Sequence, residues 1–175
     1  KLINEGRRDE LIDRLEKDLF KIVSPFKDKI VWYRTLDAPT DEFRHLSGGE
    51  DEPKEDNPMM GWRSIRRELD QPEMLRAQFE AIKRVREKGF NKLGIMIPLV
   101  SHVEQIKLVK AILRELEMDD VQFGIMVETP ASVQLIEDFC KEGINFASIG
   151  SNDLTQFTLA VDRNNAKVQK LYNAM

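Results

Sequence analysis

Apolar residues recur along this chain at two periods, and the alternation between them outlines an α/β protein. From Arg7 to Phe20, Leu11, Ile12, Leu15 and Leu19 fall at helical spacing among charges, which predicts an amphipathic helix ended by Ser24-Pro25. Ile30-Val-Trp-Tyr-Arg34 then reads as a short strand of β-formers. Further on, the spacing predicts helices over Glu73–Lys88, His102–Leu116 and Ala131–Lys141, with Gly89 and Gly143 as stops after the first and third. Between and after them lie the short apolar runs Leu93–Pro98, Gln122–Val127 and Phe146–Gly150, each the length of a buried strand. Asp153–Val161 and Ala166–Tyr172 are expected to be the last helices. Asp37–Asn57 is a polar stretch with Gly48-Gly49, long for a structureless loop, and Met59-Met60 after it is a candidate fifth strand.

Strands that read as continuous apolar runs are buried on both faces, which is the mark of a parallel sheet covered by helices. A closed (β/α)8 barrel needs about 250 residues. The 175 residues here therefore predict part of a TIM barrel, and the start at Lys1 rather than Met fits a fragment of a single domain spanning residues 1–175. Sheet edges left open by an incomplete barrel favour association, so a homo-oligomer is expected.

Composition narrows the class of partner. A net charge of −4 with no basic stripe argues against nucleic acid. No run approaches the roughly 20 apolar residues that cross a bilayer, which argues against a membrane role. One cysteine, Cys140, rules out an internal disulfide and fits a reducing, cytoplasmic setting. Cys140 reads as a small core residue on its helix, the run Glu50–Asp56 as a solvated loop, and His45 and His102 show no metal-ligand spacing.

The chemistry is expected where strands end. Glu128 follows one apolar strand and Asp153 follows the next, so the two carboxylates fall at the carboxyl edge of a parallel sheet. A hard divalent cation such as Mg²⁺ would turn their repulsion into coordination. The same spacing also serves a helix cap at Asp153 and a solvated turn at Glu128, and spacing does not choose between them. Arg34 ends its strand and Arg63 follows Gly61-Trp62, which places two guanidinium groups where they can hold a phosphate or carboxylate, or lie on the surface as ordinary arginines. Gly150-Ser151-Asn152 leads into a helix N-terminus whose N–H groups suit an anion, and Arg163 follows that helix.

Four segments together resemble the phosphoenolpyruvate-utilising enzymes in their C-terminal phosphoenolpyruvate/pyruvate-binding barrel domain. They are Val31–Asp37, Asn57–Arg63, Gly124–Pro130 and Ser148–Phe157 extended through Asp162-Arg163. That family comprises phosphoenolpyruvate synthase, pyruvate phosphate dikinase and enzyme I of the sugar phosphotransferase system. Thr35-Leu-Asp-Ala-Pro-Thr-Asp-Glu-Phe43 and Gly61-Trp62-Arg63 look most like the synthase branch. The resemblance implies roughly strands 2 to 6 of a (β/α)8 TIM barrel, incomplete at both ends. It implies that Arg34, Arg63 and Arg163 grip a phosphoryl group and that Glu128 and Asp153 ligate Mg²⁺. Asn152, with the backbone of Gly150 and Ser151, would contact substrate. The implied reaction makes phosphoenolpyruvate, AMP and phosphate from ATP, pyruvate and water, through a phosphohistidine on a partner domain of the parent chain.

Departures from the family pattern matter too. The family's earlier arginine-bearing strand, its catalytic cysteine in a Cys-Gly segment and its phosphohistidine have no counterpart here, so the 175 residues alone are expected to be inactive. A phosphoenolpyruvate–protein phosphotransferase of the enzyme I type and a non-catalytic phosphoenolpyruvate-binding module are the alternatives.

Overall fold

The computed structural model describes residues 2–172. Four strands, β1 (Val31–Arg34), β2 (Leu93–Ile97), β3 (Phe123–Val127) and β4 (Phe146–Ile149), form one parallel sheet in the order β1-β2-β3-β4. Consecutive strands are neighbours throughout, which is the strand order of an arc of a (β/α)8 barrel; among the described residues the arc stays open. Around it lie α1 (Arg8–Val23), α2 (Thr40–Arg44), α3 (Ser64–Asp70), α4 (Pro72–Glu87), α5 (Val103–Glu115), α6 (Pro130–Gln134), α7 (Ile136–Lys141) and α8 (Ser151–Leu159).

The two faces of the sheet are filled differently. Ile95, Ile97, Phe123, Ile125 and Val127 are buried in one cluster with Phe79, Ile82 and Val85 of α4 and Ile106, Val109 and Leu113 of α5. The opposite face is built on glycine. A Cβ at Gly94 would lie 2.3 Å from the Trp32 ring, and one at Gly124 would lie 2.3 Å from the Phe146 ring. The two rings reach over those glycines from the outer strands and meet with centroids 3.7 Å apart. An alanine at either position would push the aromatic pair off the sheet.

α1 packs on α4, where Ile12 sits against Ala77 and Ala81, small residues that let the helices approach closely. Gly89 and Gly143, at φ +96° and +82°, turn the chain out of α4 and α7 as their positions predict.

Several expectations need correction. Pro58–Met60 is a 3-10 turn rather than a fifth strand, because Met60 and Gly61 donate their N–H groups back to Asn57 and Pro58. Among the described residues the arc therefore holds four strands where five were expected. The helix expected over Ala131–Lys141 is two, divided at Leu135. Beyond Arg163, among the described residues, only Gln169–Leu171 is helical, as a 3-10 turn. There the side chains of Asp162 and Asn165 accept from the N–H groups of Asn164 and Lys167, which diverts backbone donors from a helix. Asp37–Asn57 is not structureless, since it contains α2. Cys140 is exposed, the buried place on its helix being taken by Phe139. No helix among the described residues is long and apolar enough to cross a membrane.

Candidate functional site

Three carboxylates converge at the carboxyl edge of the sheet. Glu128 directly follows β3, Asp153 lies in the first turn of α8 after β4, and Asp37 lies three residues beyond β1. One oxygen from each falls within 4.8 Å of the others. Like charges gathered so closely in a buried place repel, and both burial and that repulsion act on Glu128. The residue is 3% exposed, and its carboxyl is pushed up to about 7, first by burial and then by the negative charges of Asp153 and Asp37. The N–H of Leu99 opposes the shift by donating to its Oε2 at 2.8 Å.

Local backbone geometry serves this cluster. Leu99 stands at φ +55° and Ser64 at φ +53°, the left-handed region that residues with a Cβ seldom occupy. The two turns touch, since the Ser64 hydroxyl donates to the Pro98 carbonyl at 3.1 Å. Strain of this kind persists where the surroundings enforce a geometry, here an N–H aimed at Glu128. Gly150 meets a different demand. Its φ is an ordinary −85°, but a Cβ there would lie 2.4 Å from Cγ of Glu128. Only glycine lets the turn after β4 pass beside that carboxylate.

Two guanidinium groups join the acids. Arg63, the residue before α3, is 4% exposed; its Nη2 lies 2.8 Å from Asp37 and 3.5 Å from Asp153, and its Nε donates to Asp37 at 3.1 Å. Arg163 returns after α8, where its N–H donates to Gln156 and its Nη1 donates to Asp153 at 2.9 Å. Three acidic and two basic groups thus share the carboxyl edge of the sheet. Hard carboxylate oxygens in this number are the donor set that suits Mg²⁺, so Asp37, Glu128 and Asp153 are the residues that could hold the ion.

The remaining candidates lie at the rim. Arg34 is exposed at the end of β1, on the same face as Trp32, with no hydrogen bond or ion pair among the described residues. Ser151 and Asn152 are exposed in the first turn of α8, and the Asn152 side-chain oxygen accepts from the Tyr172 hydroxyl at 3.3 Å. Glu128, Gly150, Asp153, Arg63 and Arg163 are linked through the acid cluster, whereas the side chains of Arg34, Ser151 and Asn152 make no hydrogen bond or ion pair to it among the described residues.

Asp37 went unassigned in the sequence because it lies inside a polar, turn-forming stretch. Its signal was available: like Glu128, it is an acid just past a strand of β-formers. The acidic run after it also has structural work. Glu55 accepts from Thr40 Oγ1 at 2.7 Å and from Trp62 N–H at 2.8 Å. Glu52 accepts from Arg67 Nη1 at 2.8 Å, and the Arg67 guanidinium lies between the rings of Phe43 and Trp62, 4.2 and 4.5 Å from their centroids.

Similarity to known proteins fits this geometry. The family model for the phosphoenolpyruvate-utilising enzymes' phosphoenolpyruvate-binding domain matches residues 2–175. The chain is 59% identical over 176 residues to a probable phosphoenolpyruvate synthase of Pyrococcus horikoshii, and 57% identical over 176 residues to phosphoenolpyruvate synthase of Pyrococcus furiosus. Each alignment covers 99% of this chain and 21% or 22% of the relative, so the chain spans about a fifth of those proteins. It is also 40% identical over 167 residues to a phosphoenolpyruvate-protein phosphotransferase of Buchnera aphidicola, covering 88% of this chain and 28% of that protein.

Proposed function

We propose, for a chain that belongs to the phosphoenolpyruvate-utilising enzymes within their phosphoenolpyruvate-binding domain, that it supplies the magnesium-dependent phosphoenolpyruvate/pyruvate site of a phosphoenolpyruvate synthase. The observation that carries this reading is the convergence of Asp37, Glu128 and Asp153 with Arg63 and Arg163 at the carboxyl edge of a parallel sheet. The parent protein would convert ATP, pyruvate and water to phosphoenolpyruvate, AMP and phosphate, with a phosphohistidine domain of the same parent delivering the phosphoryl group.

Transfer of a phosphoryl group asks a site mainly for positioning and for neutralisation of charge. Asp37, Glu128 and Asp153 would hold Mg²⁺, which when bound supplies neutralisation and polarises a substrate oxygen. Arg63 and Arg163, already fixed by the acids, present their remaining N–H groups to phosphate oxygens. Arg34, exposed at the rim and without a partner among the described residues, is free to close on the phosphoryl group from the side of β1. The N–H groups of Ser151 and Asn152 at the start of α8 add dipolar attraction for an anion. Gly150 keeps the turn clear of Glu128. No general acid is assigned within the chain, and the isolated 175 residues would bind ligand without turning it over.

Titration calorimetry of the full-length protein with Mg²⁺ and phosphoenolpyruvate tests the site. Glu128→Ala and Asp153→Ala are expected to abolish magnesium-dependent phosphoenolpyruvate binding; binding unchanged in both would sink the assignment. The similarity to a phosphoenolpyruvate-protein phosphotransferase supports a second reading, in which the same pocket passes the phosphoryl group to a carrier protein. Assay of the full-length protein with pyruvate and ATP, against phosphoenolpyruvate and a histidine-containing carrier, separates the two.

A further inference from the structure

All three clustered acids have a direct partner: Glu128 the N–H of Leu99, Asp153 the guanidinium of Arg163, and Asp37 the Nε and Nη2 of Arg63. Asp37 shares Arg63 with Asp153 and lies in the irregular stretch between β1 and α2. Whether its carboxylate can reach Arg63 and face the other two acids depends in turn on what fixes the backbone just before it.

That backbone is fixed by a buried polar network outside the site. Glu68 of α3 is 1% exposed and forms no ion pair among the described residues, yet both its oxygens are occupied. Oε2 accepts from the Thr35 hydroxyl at 2.9 Å, and Oε1 accepts from Gln78 Nε2 at 2.7 Å. Gln78 of α4 in turn accepts, through Oε1, from the N–H of Leu36 at 2.9 Å and from the Tyr33 hydroxyl at 3.1 Å. The network is directional. Gln78 must turn its oxygen toward the strand end, so its NH₂ must face Glu68, and only an acceptor there fixes the amide that way round. A carboxyl buried without a positive partner is a poor device for stability, and an apolar side chain would fill the place at less cost. Its geometric effect is specific: it ties Thr35 directly, and Leu36 through Gln78, to the two helices behind the sheet. Those are the two residues that precede Asp37.

We propose that Glu68 is a positioning residue for Asp37, holding the Thr35–Asp37 segment so that the Asp37 carboxylate faces Glu128 and Asp153 at the spacing a divalent cation requires. The inference rests on the metal-site reading above and deepens it. Supporting shells of this kind commonly tune metal affinity by tenfold or more.

The test measures Mg²⁺ affinity by calorimetry and Tm in parallel on the full-length protein. Glu68→Leu is expected to raise the Mg²⁺ Kd by about tenfold or more. Glu68→Gln keeps an acceptor for Gln78 and can donate to the Thr35 hydroxyl, so it should restore most of the affinity. Val85→Ala, a buried truncation on α4 outside the network, should lower Tm and leave the Kd unchanged. A Glu68→Leu protein with unchanged Kd, while Asp37→Asn binds weakly, overturns the inference alone. A Kd unchanged even in Asp37→Asn overturns both this inference and the metal site. A weakened Kd in Val85→Ala, or no recovery in Glu68→Gln, reduces Glu68 to a stabilising residue and overturns its positioning role. Should Glu68→Leu not fold, Thr35→Val removes the contact while keeping the carboxyl, and the same outcomes apply to it.

Discussion

Burial places the Glu128 and Glu68 carboxyls at about 7, against an ordinary value of 4.5. Between those values the folded chain holds protons that the unfolded chain has released. The resulting contribution to stability is complete below the ordinary value and is lost as pH rises through about 7. At about 1.4 kcal/mol per pH unit, each group contributes at most about 3 kcal/mol across the window. The metal-free protein is thus expected to lose Tm from about pH 5 to about pH 8, and Glu128→Gln should flatten that decline. Magnesium acts in the opposite sense, because it must displace the Glu128 proton: below about pH 7 its apparent affinity should rise by up to tenfold per pH unit. Thermal melts across that range with and without Mg²⁺ check both slopes, and a decline unaltered in Glu128→Gln would refute the assignment to this carboxyl. Gly150 gives a second residue-scale prediction. Because its φ is ordinary, Gly150→Ala costs nothing in backbone strain, and its whole effect is the new Cβ against Glu128. A loss of about 1–3 kcal/mol in a denaturant titration is expected, together with weaker Mg²⁺ binding. Glu128 and Asp153 were legible as candidates in the sequence because one directly follows an apolar strand run and the other lies just past the next. Their third partner, Asp37, was obscured by the polar, turn-forming stretch that follows it, and the partners of Thr35 and Leu36 before it lie on α3 and α4, far along the chain.

At the scale of elements, the segment from α2 to α3 shows why a polar run resists reading. Glu50–Asp56 has the composition of a solvated loop, and nothing in its spacing marks Glu52 and Glu55 as anchors. Their partners, Arg67, Thr40 and the N–H of Trp62, are fixed only once the chain has folded back. Gly61 is part of the same anchor, since a Cβ there would collide with the Glu55 carboxylate. Arg67 closes the segment by pairing with Glu52 while its planar guanidinium lies between Phe43 and Trp62. Arg67→Ala would leave Glu52 largely buried and unpaired and would lose both ring contacts, a cost of about 3 kcal/mol or more. Arg67→Lys should recover little of it, because an ammonium can neither stack between two rings nor form a two-pronged pair. Denaturant titration measures the loss, and limited proteolysis should show cleavage between Arg44 and Asn57 in both variants before cleavage elsewhere. Wild-type resistance in Arg67→Lys would contradict the stacking account. The regular elements, by contrast, were legible because periodicity alone specifies α1, α4, α5 and the strands. Boundaries failed where side chains compete for backbone donors, as Asp162 and Asn165 do after α8.

The whole molecule repeats one arrangement: strands alternate with helices around a parallel sheet whose two central strands are buried, and the clustered acids and arginines gather where the strands end. The strand order and that polarity follow from the βα rhythm of the sequence, but the extent of the sheet does not, because a single turn of residues such as Pro58–Met60 mimics a strand end. The open arc has a physical consequence at β4. Among the described residues β4 has no strand on its far side, and Ile149 on its outer face is 73% exposed with Ala147 beside it also exposed. An unpaired parallel edge with an apolar outer face offers both ladder hydrogen bonds and contact area to another such edge. The isolated 175 residues are therefore expected to self-associate with rising concentration through β4. Ile149→Lys places a charge on that face without touching Glu128 or Asp153, and it should shift the population toward monomer in sedimentation velocity. The full-length protein should show no such response to the same substitution if the remainder of its chain covers β4. An isolated chain that stays monomeric at high concentration, with Ile149 intact, would mean that the edge is protected by some other arrangement of the sheet.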